Sequence, residues 1–193
     1  MPLRAGLTTA TVTRAAVELL DSEGADALTL ARVAEKLGVR IPSLYNHVSG
    51  LDGLRRELAL YAVEQLNAVL TAAAIGKAGD DAVYALANAY RAFVRAHPAL
   101  YPFSQRIPND DPALQAAASG PVDVVVAVLA GYGLRADDAL HAVRGFRSAL
   151  HGFTALEAMG GFGLPLDLDE SFRRLIQSQI AGLRAQAHGA QSG

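Results

Sequence analysis

The chain has no cysteine, which excludes disulfide bonds and thiolate metal sites and is typical of proteins from the reducing cytoplasm. It also has no long apolar run. The longest run, VVVAVLAGYGL from Val124 to Leu134, is too short to span a bilayer and is interrupted by glycines. The N-terminal residues MPLRAGLTTATVTR lack the apolar segment that a signal peptide needs. These absences predict a cytoplasmic protein with no membrane partner.

An excess of positive charge is missing too, because 17 Lys and Arg stand against 19 Asp and Glu. Residues 1–60 contain seven basic and seven acidic residues, so this part of the chain is formally neutral. A nucleic-acid surface would therefore have to arise from where the cations lie rather than from their number. The acidic residues cluster within 18–26, which would let them lie away from such a surface.

Catalytic motifs are absent from the sequence. It contains no G-x-S-x-G, its five histidines show no H-x-x-x-H or HExxH spacing, and GGFG has neither the lysine of a P-loop nor a preceding strand. The sequence therefore predicts a protein that is not an enzyme and that holds no metal or cofactor.

What is present is a helical pattern. Apolar types make up 51% of the residues, and alanine, leucine and arginine are abundant while isoleucine and threonine are sparse, which favours an all-α fold with a substantial core. Apolar residues three and four apart predict a first helix from about Thr8 to Glu23, ended by Gly24. A second helix is predicted to begin at Thr29, a good N-cap, and to end at Gly38.

The rest of the chain shows the same pattern between turns. Helices are predicted over about 52–74, 80–96, 111–120, 122–130, 137–159 and 169–187. The segment 98–112 contains four prolines and is predicted to be a loop with one short helical turn. We divide the chain into an N-terminal domain over 1–50, a C-terminal helical domain over 51–187 and a flexible tail over 188–193.

Residues 33–44 have the tight spacing of a helix-turn-helix rather than that of an ordinary helical hairpin. Ala34 is small enough for two helices to cross closely, and Gly38 allows the positive φ of a sharp turn. Pro42 then opens a third helix in which Leu44 and Val48 face the core. Polar side chains are left at or near its outer face: Ser43, Tyr45, Asn46 and His47. This arrangement indicates a DNA-binding helix.

The sequence resembles a known family in two places. Residues about 8–60 resemble the N-terminal domain of TetR-type transcriptional regulators, through TRAAVELLDSEG, LTLARVAEKLGV and SLYNHVSGLDGL. The stretch FRSALHGFTALEAMGGFGLPLDLDESFRRLI resembles the C-terminal domain of the TetR branch that carries a Trp-His-Gly motif. That motif reads Leu150-His151-Gly152 here, and Val48 and Leu51 replace a phenylalanine and a phosphate-holding lysine that the family often has.

The resemblance implies an N-terminal helix-turn-helix DNA-binding domain joined to a helical ligand-binding and dimerisation domain. The third helix would then lie in the major groove of double-stranded DNA. Arg40 would donate to guanine or phosphate, Asn46 would pair with an adenine edge, and Ile41 and Pro42 would pack on a thymine methyl. Thr29, Tyr45 and His47 would hold phosphates. Ser43 would contact a base or the DNA backbone.

Plainer roles stay open for some of these residues. Tyr45 is alternatively a half-buried staple between the third and first helices. Arg40 is alternatively a solvated surface charge, and His47 alternatively caps a helix end.

One DNA-binding head reads few base pairs, so the chain is predicted to bind an inverted-repeat operator as a homodimer. Small residues in AVRGFRSALHGFTALEAM would let helices approach closely, and the last helix would complete a four-helix bundle across the two-fold axis. The predicted interface comprises Gly145, Ala149, Gly152, Phe172, Leu175, Ile176, Gln179, Ile180 and Leu183. The alternative is that these faces pack inside one chain.

A pocket for a small, largely apolar effector is predicted among the fourth to seventh helices. Its candidate lining residues are Tyr90, Phe93, Tyr101, Phe103, Phe146 and His151. Effector binding would move the fourth helix, change the separation of the recognition helices and release the DNA, as in a ligand-responsive repressor. The alternatives are that these aromatic residues are core, that the protein is an activator, or that it is a dimeric small-molecule-binding protein without DNA recognition.

Overall fold

A computed structural model of the chain describes residues 6–134 and 136–191, except for the side chains of residues 136 and 188–191. The helices are α1 (Thr9–Glu23), α2 (Leu30–Leu37), α3 (Ile41–Leu44), α4 (Gly50–Ala74), α5 (Gly79–Ala96), α6 (Pro112–Ala130), α7 (Ala136–Ala158) and α8 (Leu168–Gln191). Short 3₁₀ turns lie at Ala25–Ala27 and Tyr101–Gln105. No strand occurs within the described ranges, and the predicted all-α fold is confirmed.

The predicted ends of the first two helices are confirmed at the level of single hydrogen bonds. Thr8 caps α1 by accepting from the Thr11 amide at 3.1 Å, and Thr29 caps α2 by accepting from the Arg32 amide at 3.2 Å. Gly38 ends α2 in the left-handed region with φ +65°. A side-chain oxygen at the N-cap satisfies an amide that has no partner within the helix, which is why threonine at these positions starts a helix.

The helix α3 is shorter than the sequence predicts. It ends at Leu44 instead of continuing to Val48. After it the chain forms turns in which the His47 and Val48 amides both donate to the Leu44 carbonyl at 2.9 Å. Shared three- and four-residue hydrogen bonds of this kind are common where a helix ends. Leu44 and Val48 are nevertheless both buried, as predicted.

The predicted break at Gly120-Pro121 is wrong, because α6 runs through it as one helix. A Cβ added at Gly120 would lie 2.9 Å from the side chain of Asn67 on α4, so the glycine leaves room for that side chain. Pro121 has no amide hydrogen to donate, so one helical hydrogen bond is missing where α6 passes it. As one helix, α6 is long and apolar enough to cross a membrane by length and composition, with a hydropathy of 1.6. A single helix that passes this test is weak evidence for a membrane span.

The last helix also extends beyond its predicted end. The backbone of α8 is helical through Gln191, so the predicted tail is wrong for residues 188–191. Residues 192 and 193 lie outside the described part of the chain.

The chain divides into two compact units. The first contains the described residues up to Gln65 together with Ala96–Ala118, and the second contains Leu66–Arg95 with the described residues from Ser119 onward. The units therefore do not coincide with the predicted domains 1–50 and 51–187. The physical reason is that apolar residues beyond position 50 belong to the core of the first unit, among them Leu54, Leu58 and Leu100.

A buried arginine joins three helices of the second unit. Arg91 of α5 is 7% exposed, and its Nε and Nη2 donate to the two carboxylate oxygens of Glu157 on α7 at 2.9 and 2.6 Å. Its Nη1 lies 2.8 Å from a carboxylate oxygen of Asp169 on α8. The guanidinium also lies 4.7 Å from the ring centre of Phe172. The hydrogen bond and the charge of Arg91 hold the pKa of Glu157 below its ordinary 4.5.

Candidate nucleic-acid interface

The recognition segment, which we define as Arg40–Val48, is held from its inner side. Leu44 and Val48 are buried in the core of the first unit with Val12 and Leu54. The Thr9 hydroxyl of α1 donates to the backbone carbonyl of His47 at 3.0 Å. Two apolar anchors and one hydrogen bond therefore fix both the depth and the orientation of this segment.

The outer side of the recognition segment carries the predicted contact residues. Arg40, Pro42 and Asn46 are exposed, and the side chains of Ile41 and Tyr45 are 39% and 60% exposed. Ser43 and His47 are half-buried and complete the predicted set in this segment. The alternative of Tyr45 as a half-buried staple is wrong, because its ring faces solvent.

Thr29 lies at a second exposed position of the first unit. Its hydroxyl oxygen is occupied by the Arg32 amide, while the hydroxyl hydrogen remains free to donate to an acceptor such as a phosphate oxygen. The N-terminus of α2 behind it contributes partial positive charge. This chemistry suits the phosphate contact that the resemblance implies.

Acidic residues of α1 are neutralised by cations of α2. Arg32 pairs with Glu23 at 2.6 Å and with Glu35 at 2.7 Å, and Lys36 pairs with Glu18 at 3.0 Å. Hydrogen bonding to Glu23 raises the pKa of Arg32. Two of the four carboxylates in 18–26, those of Glu18 and Glu23, are therefore already paired with cations of the same unit.

Two arginines within residues 6–48 are left for an outside anion. Arg14 on α1 and Arg40 are exposed, and neither forms an ion pair with a described residue. Sequence reasoning missed Arg14, and it also missed the contact of Thr9 with His47. No signal local to Arg14 or Thr9 marks them, because their relation to the recognition segment depends on how α1 packs against it.

The six predicted effector residues are divided between the two units. Tyr101 and Phe103 belong to the first unit, whereas Tyr90, Phe93, Phe146 and His151 belong to the second. Four of them have the burial expected of core aromatics, between 2% and 5% exposed: Tyr90, Phe93, Tyr101 and Phe146. Phe103 is half-buried and His151 is exposed on α7. The effector role of the set stays a prediction.

The predicted dimer interface needs a correction on α8. Four of its residues are covered within the single chain, at 1% to 5% exposure, because they form the inward face of the helix: Phe172, Ile176, Ile180 and Leu183. The alternative that these faces pack inside one chain therefore holds for them. Exposed or half-buried positions remain for a partner: Gly145, Ala149, Gly152, Leu175 and Gln179.

Two family models match the chain. The model described as "Bacterial regulatory proteins, tetR family" matches residues 4–58, and "Tetracyclin repressor-like, C-terminal domain" matches residues 83–179. The first match contains Thr29 and the whole recognition segment. Neither match tests whether the chain belongs to the Trp-His-Gly branch, which stays a prediction.

Two similar proteins are named as transcriptional regulators of the helix-turn-helix (HTH) type. The uncharacterised HTH-type transcriptional regulator Rv0681 of Mycobacterium tuberculosis is 39% identical over 96% of this chain and 86% of its own. The uncharacterised HTH-type transcriptional regulator YobS of Bacillus subtilis is 35% identical over 95% of this chain and 96% of its own. Among solved structures, the Streptomyces coelicolor TetR family protein ActR in complex with (S)-DNPA has a TM-score of 0.68 at 22% identity, covering 95% of this chain and 100% of that one.

Proposed function

The chain belongs to the TetR family of bacterial helix-turn-helix transcriptional regulators, and from this membership we propose that it is a ligand-responsive repressor. It acts in the cytoplasm as a homodimer on an inverted-repeat operator, and a small, largely apolar effector releases it from the DNA. The observation that carries the proposal is the recognition segment, which is anchored by Leu44 and Val48 and exposes five of its seven predicted contact residues.

We propose distinct tasks for the exposed residues of the recognition segment. Arg40 donates to guanine or phosphate, and Asn46 pairs with an adenine edge. Ile41 and Pro42 pack on a thymine methyl, which fits the exposure of the isoleucine. Contacts to the sugar-phosphate backbone, which set position rather than sequence preference, come from Thr29, Ser43, Tyr45 and His47.

We add Arg14 to the phosphate contacts. It is exposed on α1, which also supplies the Thr9 hydroxyl that holds the recognition segment. Because Arg14 forms no ion pair with a described residue, its approach to a phosphate does not require breaking one.

The homodimer would use α7 and the outward side of α8. A Cβ added at Gly145 or Gly152 meets no atom within 4 Å in the single chain. Packing within the single chain therefore does not require glycine at these two positions. Small residues are instead suited to a surface that a helix of the partner chain approaches closely. An effector is supported by ActR, which has the same fold and was solved in complex with (S)-DNPA.

The deciding experiment is selection of bound sites from random double-stranded DNA by the purified full-length chain. We expect enrichment of one inverted repeat, and binding to it in a mobility-shift assay. Arg40→Ala and Tyr45→Ala should each weaken binding to that repeat by about tenfold or more, as the loss of ~1.4 kcal/mol per site implies. The matched control is Arg95→Ala, an exposed arginine of α5 in the other unit, which should leave the affinity unchanged.

Three outcomes would contradict the proposal. Selection that enriches no sequence would leave a dimeric binding protein without DNA recognition as the better account. Enrichment of a single half-site by a monomeric chain would refute the homodimer. Unchanged binding by both Arg40→Ala and Tyr45→Ala would refute the assignment of the recognition segment.

A further inference from the structure

The second half of the recognition segment lies outside a helix. The four-residue α3 ends at Leu44, and the chain is not helical again until Gly50. Residues 45–47 lie in a turn that the His47 amide closes by donating to the Leu44 carbonyl at 2.9 Å. The position of the exposed side chains in this turn therefore depends on contacts other than a continuous helical ladder.

A threonine of α1 holds this turn from outside the recognition segment. The Thr9 hydroxyl donates to the His47 carbonyl at 3.0 Å, across 38 positions of the chain. Within the described ranges, this is the one side-chain hydrogen bond that the recognition segment makes. Thr9 is the first residue of α1, where the Thr8 amide donates to the Thr11 hydroxyl at 2.8 Å and the Thr11 amide donates to the Thr8 hydroxyl at 3.1 Å. The donor therefore stands on a capped helix end.

This hydrogen bond supplies a restraint that the apolar anchors do not. Leu44 and Val48 fix the two ends of the turn in the core, but apolar contact has no directional preference. A hydrogen bond requires both a distance and an angle. The bond from Thr9 therefore restrains the orientation of the peptide group that follows His47.

Asn46 depends on this restraint more than the residues at the start of the recognition segment do. Its side chain is exposed, so packing does little to orient it. An asparagine that reads adenine must form two hydrogen bonds to one base edge at the same time. Ile41 and Pro42 lie in α3 and Arg40 directly precedes it, outside the turn that Thr9 holds. A displaced turn would therefore affect the base pair that Asn46 reads before it affects the others.

We propose that Thr9 is a positioning residue for sequence recognition. Its hydroxyl fixes the turn at residues 45–47 and thereby sets the base preference at the position that Asn46 reads. Thr9 acts through the turn and makes no contact with the DNA itself. The base preference rests on the proposed function, in which Asn46 pairs with an adenine edge, whereas the restraint on the turn exists without DNA.

The test compares Thr9→Val, which removes the hydroxyl and keeps the shape of the side chain, with Thr9→Ser, which keeps the hydroxyl. Affinities are measured for the selected operator and for variants with one base pair changed in both half-sites. Asn46→Ala identifies the base pair that Asn46 reads, as the one whose preference it removes. We expect Thr9→Val to reduce the preference at that pair by about fivefold, which corresponds to ~1 kcal/mol, and to leave the other preferences unchanged. Thr9→Ser should retain the native preference.

The matched control is Thr13→Val on the same helix. The Thr13 hydroxyl donates to the Thr9 carbonyl at 2.9 Å, so its hydrogen bond stays within α1. This variant should leave every base preference unchanged. A general loss of stability lowers the affinity for all operator variants by the same factor, whereas a loss of positioning changes the ratio of affinities at one base pair.

Four results would overturn the proposal. These are unchanged preferences in Thr9→Val, an equal loss of affinity for every operator variant, a Thr9→Ser variant no better than Thr9→Val, or an Asn46→Ala variant that alters no preference.

A second measurement needs no DNA. The His47 and Val48 amides close the turn, so their hydrogen exchange, followed by NMR, should be faster in Thr9→Val than in the native chain and in Thr9→Ser. Unchanged exchange would refute the restraint. A native chain that enriches no DNA sequence would refute the repressor function and the base preference with it, while the exchange result would still decide whether Thr9 holds the turn.

Discussion

The ion pair between Arg91 and Glu157 offers the sharpest test of the second unit. Replacing Arg91 by Met keeps much of the apolar stem but leaves the Glu157 carboxylate buried without its cation. Removing one partner of a buried, hydrogen-bonded pair costs about 3–5 kcal/mol. We expect the lower end, about 3 kcal/mol, because Asp169 at the rim of the cluster is 76% exposed and that contact is partly screened. The guanidinium contact with Phe172 is lost as well.

Urea unfolding followed by circular dichroism measures this loss as a shift of the midpoint. With a slope of about 2 kcal/mol per M, a loss of about 3 kcal/mol moves the midpoint by about 1.5 M. All variants are compared at one protein concentration, because association stabilises a folded chain by mass action. The double variant Arg91→Met/Glu157→Leu removes both charges and should recover most of the lost stability.

The matched control is the exposed pair of Arg173 and Glu170 on α8, whose side chains are 48% and 38% exposed. Arg173→Met should leave the midpoint within error, since solvent screens this pair. The reasoning is refuted if Arg91→Met also leaves the midpoint unchanged, or if the double variant is as unstable as the sum of its two single variants.

Three further predictions concern pH and two glycines. The pKa of Glu157 in the folded chain lies below its ordinary 4.5. The stability that its ion pair contributes is therefore present above pH 4.5 and is lost as the pH falls through the lowered pKa. The free energy of unfolding, measured at a series of acidic pH values, should show this loss in the native chain but not in Arg91→Met/Glu157→Leu. Gly38→Ala places a side chain on a residue with φ +65° and should destabilise the first unit by about 1–2 kcal/mol. Gly38→Asn should destabilise it less, because asparagine tolerates this conformation better. Equal melting temperatures of the native chain, Gly38→Ala and Gly38→Asn would contradict this. Gly120→Ala should stabilise α6 by about 1 kcal/mol in an Asn67→Ala background, because alanine is the better helix former, and by less in the native background, where the added methyl meets the end of the Asn67 side chain. Equal effects of Gly120→Ala on urea unfolding of the two backgrounds would contradict this.

Local features of the chain were predictable because their physics acts over a few residues. The caps at Thr8 and Thr29 and the left-handed turn at Gly38 each depend on atoms within four positions. The inward anchors of the recognition segment follow from the four-residue spacing of Leu44 and Val48. For the same reason most helices have nearly the predicted bounds, and Tyr45 and Asn46 are exposed in the recognition segment, as their spacing from Leu44 and Val48 predicts.

Features that join distant parts of the chain were settled by tertiary packing. Periodicity identified the apolar stripe of α8 but not what covers it, and packing within one chain buries Phe172 and Ile176, so they are not left for a partner. The helix α6 continues through Gly120 and Pro121, where local sequence signals predict a break. Arg91 and Glu157 are 66 positions apart, and Thr9 and His47 are 38 apart. Spacing within one helix determines which side chains share a face, whereas the partner of that face is determined by the packing of helices that are distant in sequence.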